Sequence, residues 1–240
     1  MTREEQLLQN YKDVKTSLEH AARRAQRKAQ EITLLAVTKY ALDKDVLTLL
    51  KRGVLTDIGE SRVQQAWARW HENPAFAPFS QVKKHFIGHL QKNKAAKAAQ
   101  LFDFVDSLDD LETARALSKH LPEGKTLGVL VQVKLSHKDT QSGLPLPAAR
   151  ELAAQLKTAF ENVRILGYMA VAPQGASKEE LRGLFEPVAH AFEEDFKDVP
   201  GAQLSLGMSE DFEIAVEEGS TLPRIGSLLF SKSLEGTDDY

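Results

Sequence analysis

Ile32-Thr33-Leu34-Leu35-Ala36-Val37-Thr38-Lys39 is an apolar run that stops on an amine. A short, nearly continuous apolar segment reads as a parallel strand buried on both faces. Lys39 then stands at the mouth of the core. Burial disfavours the charged form of an amine, and a neutral amine condenses with an aldehyde to form an imine. Taken by itself, Lys39 also reads as a surface lysine closing a strand.

Upstream of this run, Thr2 and Glu5 have the spacing of a capping box, and Leu7, Tyr11, Val14, Leu18, Ala22 and Ala25 recur at helical intervals. Downstream, strand and helix patterns alternate. Asp43 is placed to cap a helix carrying Val46, Leu47 and Leu50, with Gly53 at its end. Val54–Ile58 reads as a second strand, followed by a helix with Val63, Ala66, Trp67 and Trp70 on one stripe. His85–Leu90 reads as a third strand and 93–100 as its helix, while Pro74–Pro78 reads as an exposed loop. Phe104–Asp106 is the fourth strand, with Ser107 placed as a helix cap. Leu127–Leu135 is the fifth, and Pro147 suits the first turn of the helix after it. Val163–Val171 is the sixth, followed by a second capping box at Ser177 and Glu180. Pro187 is expected to kink or split that helix. Ala202–Leu206 is the seventh strand, with Ser209 opening a helix that ends at Gly219. Leu222–Ile225 is the eighth, with a last helix from Ser227.

Strict alternation of this kind builds a βα fold, and eight units favour closure into a barrel. The expectation is an α/β fold, a single (β/α)8 TIM barrel with an extra N-terminal helix, forming one domain over 1–240. An open doubly wound sheet is the alternative. The 240 residues match the roughly 250 typical of such a barrel. The composition, 42% hydrophobic and 27% charged, is that of a soluble globular chain, and a net charge of −3 gives no long-range pull toward nucleic acid or membrane. With no cysteine, disulfides, thiolate catalysis and thiolate zinc sites are excluded. The polar N-terminus is unlike a signal peptide, so a cytoplasmic location is expected.

In such barrels the active site lies at the C-terminal ends of the strands. Polar and glycine residues gather there: Lys39, Gly59-Glu60-Ser61-Arg62, Gly88-His89-Leu90-Gln91, Met169-Ala170, Ser205-Leu206-Gly207-Met208-Ser209 and Arg224-Ile225-Gly226-Ser227. The ends of strands seven and eight suit phosphate. Gly207 and Gly226 allow close approach of backbone N–H groups, Ser205, Ser209 and Ser227 add hydroxyls, and helix starts near Ser209 and Ser227 add their positive ends. Two capped helices with nothing bound would show the same pattern. An anion cradle facing a strand-end lysine fits pyridoxal 5′-phosphate. It also fits a sugar phosphate held as an imine, as in aldolases.

Three segments, 34–39, Ile58-Gly59-Glu60-Ser61-Arg62-Val63-Gln64 and His85-Phe86-Ile87-Gly88-His89-Leu90-Gln91-Lys92-Asn93-Lys94, resemble signature segments of the pyridoxal phosphate homeostasis protein family. So do Ser142-Gly143, Gly167-Tyr168-Met169-Ala170, Leu204-Ser205-Leu206-Gly207-Met208-Ser209 and Arg224-Ile225-Gly226. The match runs in order over almost the whole chain. The resemblance implies an alanine-racemase-like barrel, fold type III of pyridoxal phosphate proteins, with the cofactor held as an internal aldimine on Lys39. It implies that Arg224 faces the pyridine nitrogen and that Ser205, Gly226 and Ser227 lie around the phosphate. Ser61, His85, Met169, Gly207 and Ser209 complete the cofactor-binding set that it implies. Its further implications are vitamin B6 and amino-acid homeostasis without robust turnover, and cofactor buffering and delivery with apo pyridoxal phosphate enzymes as candidate recipients. The family pattern has asparagine where this chain has Ser61, and glycine-alanine-arginine where it has Ser231-Lys232-Ser233.

Charge supports the non-catalytic reading. A guanidinium beside the pyridine nitrogen disfavours its protonation, so the ring is a poorer electron sink. Racemases of related fold add a second domain with an opposing base, for which this chain has no room, and a monomer is expected. The alternative is a racemase or decarboxylase of the same fold, signalled by turnover on the order of 10 per second. His85 and His89 would lie about 13 Å apart on a strand, too far to share a metal. Lys92, Lys94 and Lys97 read as a solvated helix face, and Trp67 and Trp70 as packing against the barrel.

Overall fold

The computed structural model describes residues 1–135 and 142–231. Eight parallel strands are β1 Leu35–Val37, β2 Asp57–Glu60, β3 Lys83–Phe86, β4 Phe104–Leu108, β5 Leu127–Lys134, β6 Val163–Val171, β7 Gln203–Ser205 and β8 Arg224–Ile225. Their order is β7-β6-β5-β4-β3-β2-β1-β8. No ladder joins β7 to β8. Single bonds bridge that seam instead: Leu222 N–H to Leu204 O at 3.0 Å, Arg224 N–H to Gly207 O at 2.9 Å, and the Ser205 hydroxyl to Leu222 O at 2.9 Å. The result is the nearly closed (β/α)8 barrel that the alternation predicts, and the open doubly wound sheet is ruled out.

Around it lie α1 Arg3–Arg24, α2 Asp43–Lys51, α3 Val63–Trp67, α4 Ala95–Leu101, α5 Leu111–His120, α6 Leu146–Ala159, α7 Lys178–Phe196, α8 Phe212–Glu217 and α9 Ser227–Phe230. Both expected capping boxes form, at Thr2–Glu5 and Ser177–Glu180. The leading helix α1 packs against α8, α9 and α2. Outward-facing strand residues such as Ala36, Ile58, Phe86 and Val105 join the helices in one large core. The barrel's own interior holds a smaller cluster of Leu35, Leu130, Leu166, Met169 and Leu222, with Ile87 and Phe104 against it.

The details that differ from expectation have local causes. Asp43 does not cap α2. Leu42 holds that position, and the Asp43 carboxylate takes Arg69 and Asn73 instead. Ser107 lies inside β4 and donates to Gly88 O, while Asp110 caps α5 by accepting from Thr113 N–H at 2.7 Å. β2 begins later than expected, at Asp57 rather than Val54, which places Glu60 in the strand. β3 ends at Phe86, so 87–90 form a loop. In that loop Gly88 presses on the loop after β2, where a Cβ would stand only 2.3 Å from the Ser61 carbonyl oxygen.

Pro74–Phe79 is a 3-10 turn rather than an exposed loop, and Phe76 is buried beneath it, edge-on to Trp70. Trp70 packs inward as expected, whereas Trp67 is half-buried with the Lys97 ammonium over its ring. Pro187 does not split α7. Pro187 and Gly183, whose carbonyl loses its partner, both face solvent, and water can take the freed acceptor. α8 begins at Phe212, not Ser209, because the Asp211 carboxylate caps the preceding turn by accepting from Met208 N–H at 2.5 Å.

Candidate functional site

The strand ends enclose a cavity of about 740 Å³. Val37 and Ile87 face it from inside the barrel, and Val171 and Ala172 form its apolar wall. Lys39, two residues beyond β1, reaches it from the rim. The lysine is half-buried, with its ammonium 5.0 Å from the centre of the exposed Tyr40 ring. Opposite lie Met208, Ser209, Glu210 and Asp211, and beside them Arg224, Gly226 and Ser227.

Arg224 is the cation of the cavity floor. It is 4% exposed. Its Nη1 donates to both the carbonyl and the hydroxyl oxygen of Ser205 at 2.7 Å, and its Nη2 donates to Ala170 O at 2.7 Å. Burial pulls the guanidinium down to about 10, against the pull of Asp106 and Asp211, so it stays charged at neutral pH. Burial raises the Asp211 carboxyl, opposed by the Met208 N–H and by Arg224.

Beneath this floor lies a buried chain of charge. His85 Nδ1 is 3.0 Å from Asp106 Oδ2, and its Nε2 is 3.3 Å from Asp57 Oδ1. The imidazole stacks on Phe104, with centroids 4.2 Å apart. Burial opposes a charge on the ring, but the two carboxylates win and raise it to about 9. Burial pushes Asp57 up, yet its bond and charge contact with His85 leave it below the usual range.

Of the residues singled out in the sequence, Lys39, Ser209, Arg224, Gly226 and Ser227 meet in the cavity wall. Ser61, His85, Met169, Ser205 and Gly207 do not. Met169 and Ser205 are buried in the barrel below, where Ser205 anchors Arg224. Gly207 has a left-handed backbone, φ +88°, and a Cβ there would lie 2.6 Å from Ala215 Cβ and 2.8 Å from Phe212 Cα. It shapes the turn from which α8 departs. α8 starts at Phe212 rather than Ser209, behind Glu210 and Asp211, so it does not offer the expected uncovered positive end. Gly226 and Ser227 remain the better-placed groups for an anion. Of the tail that departs from the family pattern, Ser231 lines the cavity, and Lys232 and Ser233 lie outside the described residues.

Three residues, Arg69, Asp57 and Asp106, escaped the sequence reading, which put Glu60 at a strand end without a partner. Glu60 and Arg69 form a buried pair under the Lys39 turn, with Arg69 Nη1 2.7 Å from Glu60 Oε1. Asp57 and Asp106 hold His85. A carboxylate inside an apolar strand is itself a signal, since such groups are rarely buried without a partner.

No protein-family model matches the chain. Alanine racemase from E. faecalis superposes with a TM-score of 0.64 at 13% identity, covering 93% of this chain and 59% of that one. The fold is thus the alanine-racemase-like barrel, type III among pyridoxal phosphate proteins. Closer relatives narrow the class. The pyridoxal phosphate homeostasis protein of Pasteurella multocida (strain Pm70) is 31% identical, covering 97% of both chains. PipY of Synechococcus elongatus PCC7942, solved with pyridoxal phosphate bound, is 30% identical with a TM-score of 0.75, covering 90% of this chain and 100% of that one. The chain belongs to the pyridoxal phosphate homeostasis protein family.

Proposed function

We propose that the protein binds pyridoxal 5′-phosphate in the strand-end cavity and holds it covalently at Lys39. The observation that carries this reading is the placement of Lys39 and Arg224 on one cavity. An amine reaches in from β1, and a fixed cation lies at the floor from β8. Lys39 Nζ would hold the cofactor through its aldehyde carbon, the carbonyl oxygen leaving as one water. Arg224 would face the pyridine nitrogen, and Gly226, Ser227 and Ser209, on the same cavity, would receive the phosphate. Ser205 fixes Arg224, while Met169, Gly207 and His85 support the floor without touching the ligand. Ser61 acts through the loop packed against Gly88.

When bound, the cofactor supplies an electrophilic carbon and a conjugated ring that accepts electrons. Arg224 keeps its proton at neutral pH, and the N–H groups left over from its three oxygen acceptors can give the ring nitrogen a hydrogen bond but not a proton. That supports storage and supply of the cofactor, in vitamin B6 and amino-acid homeostasis, over catalytic turnover. The protein acts as a single-domain cytoplasmic monomer, and apo pyridoxal phosphate enzymes are its recipients. Among the described residues no helix is long and apolar enough to cross a membrane.

The test is the absorbance of the purified protein mixed with pyridoxal phosphate. The wild type should turn yellow and be fixed by borohydride at Lys39, and Lys39→Ala should do neither. A yellow, fixable Lys39→Ala variant overturns the reading. Turnover of an amino-acid panel at ordinary enzymic rates, on the order of 10 per second, would favour a racemase or decarboxylase.

A further inference from the structure

Lys39 lies one residue past the last ladder bond of its strand, Thr38 N–H to Gly59 O at 3.0 Å. A tight turn follows, closed by Ala41 N–H to Thr38 O at 2.9 Å. A turn on a barrel rim would ordinarily be mobile. Here a guanidinium grips it from below. Arg69 Nη1 donates to Thr38 O at 3.0 Å, and Nη2 donates to Ala41 O at 2.8 Å. Nη1 also donates to Glu60 Oε1 at 2.7 Å, and Nε donates to Asp43 Oδ1 at 2.7 Å. All three guanidinium nitrogens are therefore engaged, and the two main-chain carbonyls they hold bracket the lysine.

Glu60 makes the anchor. Its side chain is 2% exposed, and its Oε1 also accepts from the Thr38 hydroxyl at 2.7 Å and from Trp70 Nε1 at 3.4 Å. The helix after β2 widens into a π turn over Ala68–Glu72. That widening brings Arg69 and the adjacent Trp70 to the same carboxylate. Such turns concentrate at functional sites.

We infer that Arg69, braced on Glu60, is a positioning residue for Lys39: by holding the Thr38 and Ala41 carbonyls it fixes where the amine stands in the cavity. The inference rests on the reading of Lys39 as the attachment point. Lysine cannot replace the fork, since an ammonium can keep the charge contact with Glu60 but cannot bridge two carbonyls in fixed geometry.

The experiment uses the full chain as wild type, Arg69→Lys, Lys39→Ala and the double variant. Imine formation with added pyridoxal phosphate is followed by rapid-mixing absorbance, and should slow at least about tenfold in Arg69→Lys, as misplacement of a reacting group does. Affinity for the phosphate, measured in the Lys39→Ala background where no lysine remains to be placed, should change by less than about twofold on adding Arg69→Lys. Amide hydrogen exchange over 38–41, measured without cofactor, should quicken by about tenfold or more in Arg69→Lys while β5 and α7 keep their protection. Should Arg69→Lys fail to fold, Glu60→Gln removes the brace while keeping an acceptor, and is read in the same way. Imine formation at the wild-type rate, or equal weakening in both backgrounds, overturns the positioning role. A wild type that forms no imine overturns instead the assignment of Lys39, and exchange over 38–41 then judges the clamp alone.

Discussion

His85 and Asp106 form an ion pair inside the barrel, 3.0 Å apart and wholly shielded from solvent. Asp57 takes the other ring nitrogen. The arrangement sets one buried cation between two buried anions, and the Asp106 charge is also felt by the guanidinium of Arg224. Breaking such a set leaves an uncompensated buried charge, which costs far more than loss of a surface pair.

The pair makes stability depend on pH in the alkaline range. His85 ionises near 6.5 when unfolded and at about 9 when folded. A group with a raised folded value contributes fully below the unfolded value and loses that contribution as pH rises through the folded one. The contribution should therefore be complete below about pH 6.5 and fade through about 9, on the order of 3 kcal/mol in all. Urea midpoints of wild type and His85→Gln across this range should converge as pH rises. A difference between the two that stays constant with pH would refute the ionised form.

Arg224 should be hard to replace. Arg224→Met leaves Ser205 O and Ala170 O without their donor, and Asp106 with less opposing charge. We expect a loss of about 3 kcal/mol or more in urea unfolding. Equilibrium dialysis should show pyridoxal phosphate affinity reduced by about tenfold or more, the loss expected when a charge-assisted contact of some 1.5–3 kcal/mol is removed.

Gly207→Ala tests the turn behind the cavity. The left-handed backbone and the close Ala215 and Phe212 atoms both oppose a methyl group there. A destabilisation of about 1–3 kcal/mol follows. Gly207 O also receives Arg224 N–H, so cofactor affinity should fall with it. Thermal melting and dialysis together check both effects.

Pro187→Ala should raise stability. It restores an N–H opposite the Gly183 carbonyl on an exposed face of α7 and removes the ring clash. The gain should be about 1–3 kcal/mol, up to the full propensity difference. Cofactor affinity should stay within twofold of wild type, about 0.4 kcal/mol. Chemical denaturation measures the first and dialysis the second.

The barrel was legible because its strands are short apolar runs separated by helical stripes, a pattern set locally by burial. β6 was read to the residue, and both capping boxes formed. Errors fell where a side chain chose a distant partner over a local one. Asp43 left its cap for Arg69, and Ser107 left its cap for Gly88. The loops after β2 and β3 lean on each other at Gly88 and Ser61, and no one-dimensional pattern carries such a contact. The candidate site divides in the same way. Lys39 could be found because it stands just past a buried strand, and Arg224 because its segment resembles a signature of the family. The clamp at Arg69 and the triad around His85 could not, since Arg69 and His85 reach partners between 9 and 31 residues away in sequence.

The two lips of the barrel's unzipped joint carry Ser205 and Arg224, tied across it by the guanidinium. A guest that grips Arg224 therefore laces the cylinder shut at its weakest line. Filling the chamber should accordingly damp the breathing of the whole staved wall around β7 and β8, and emptying it should let that joint gape first.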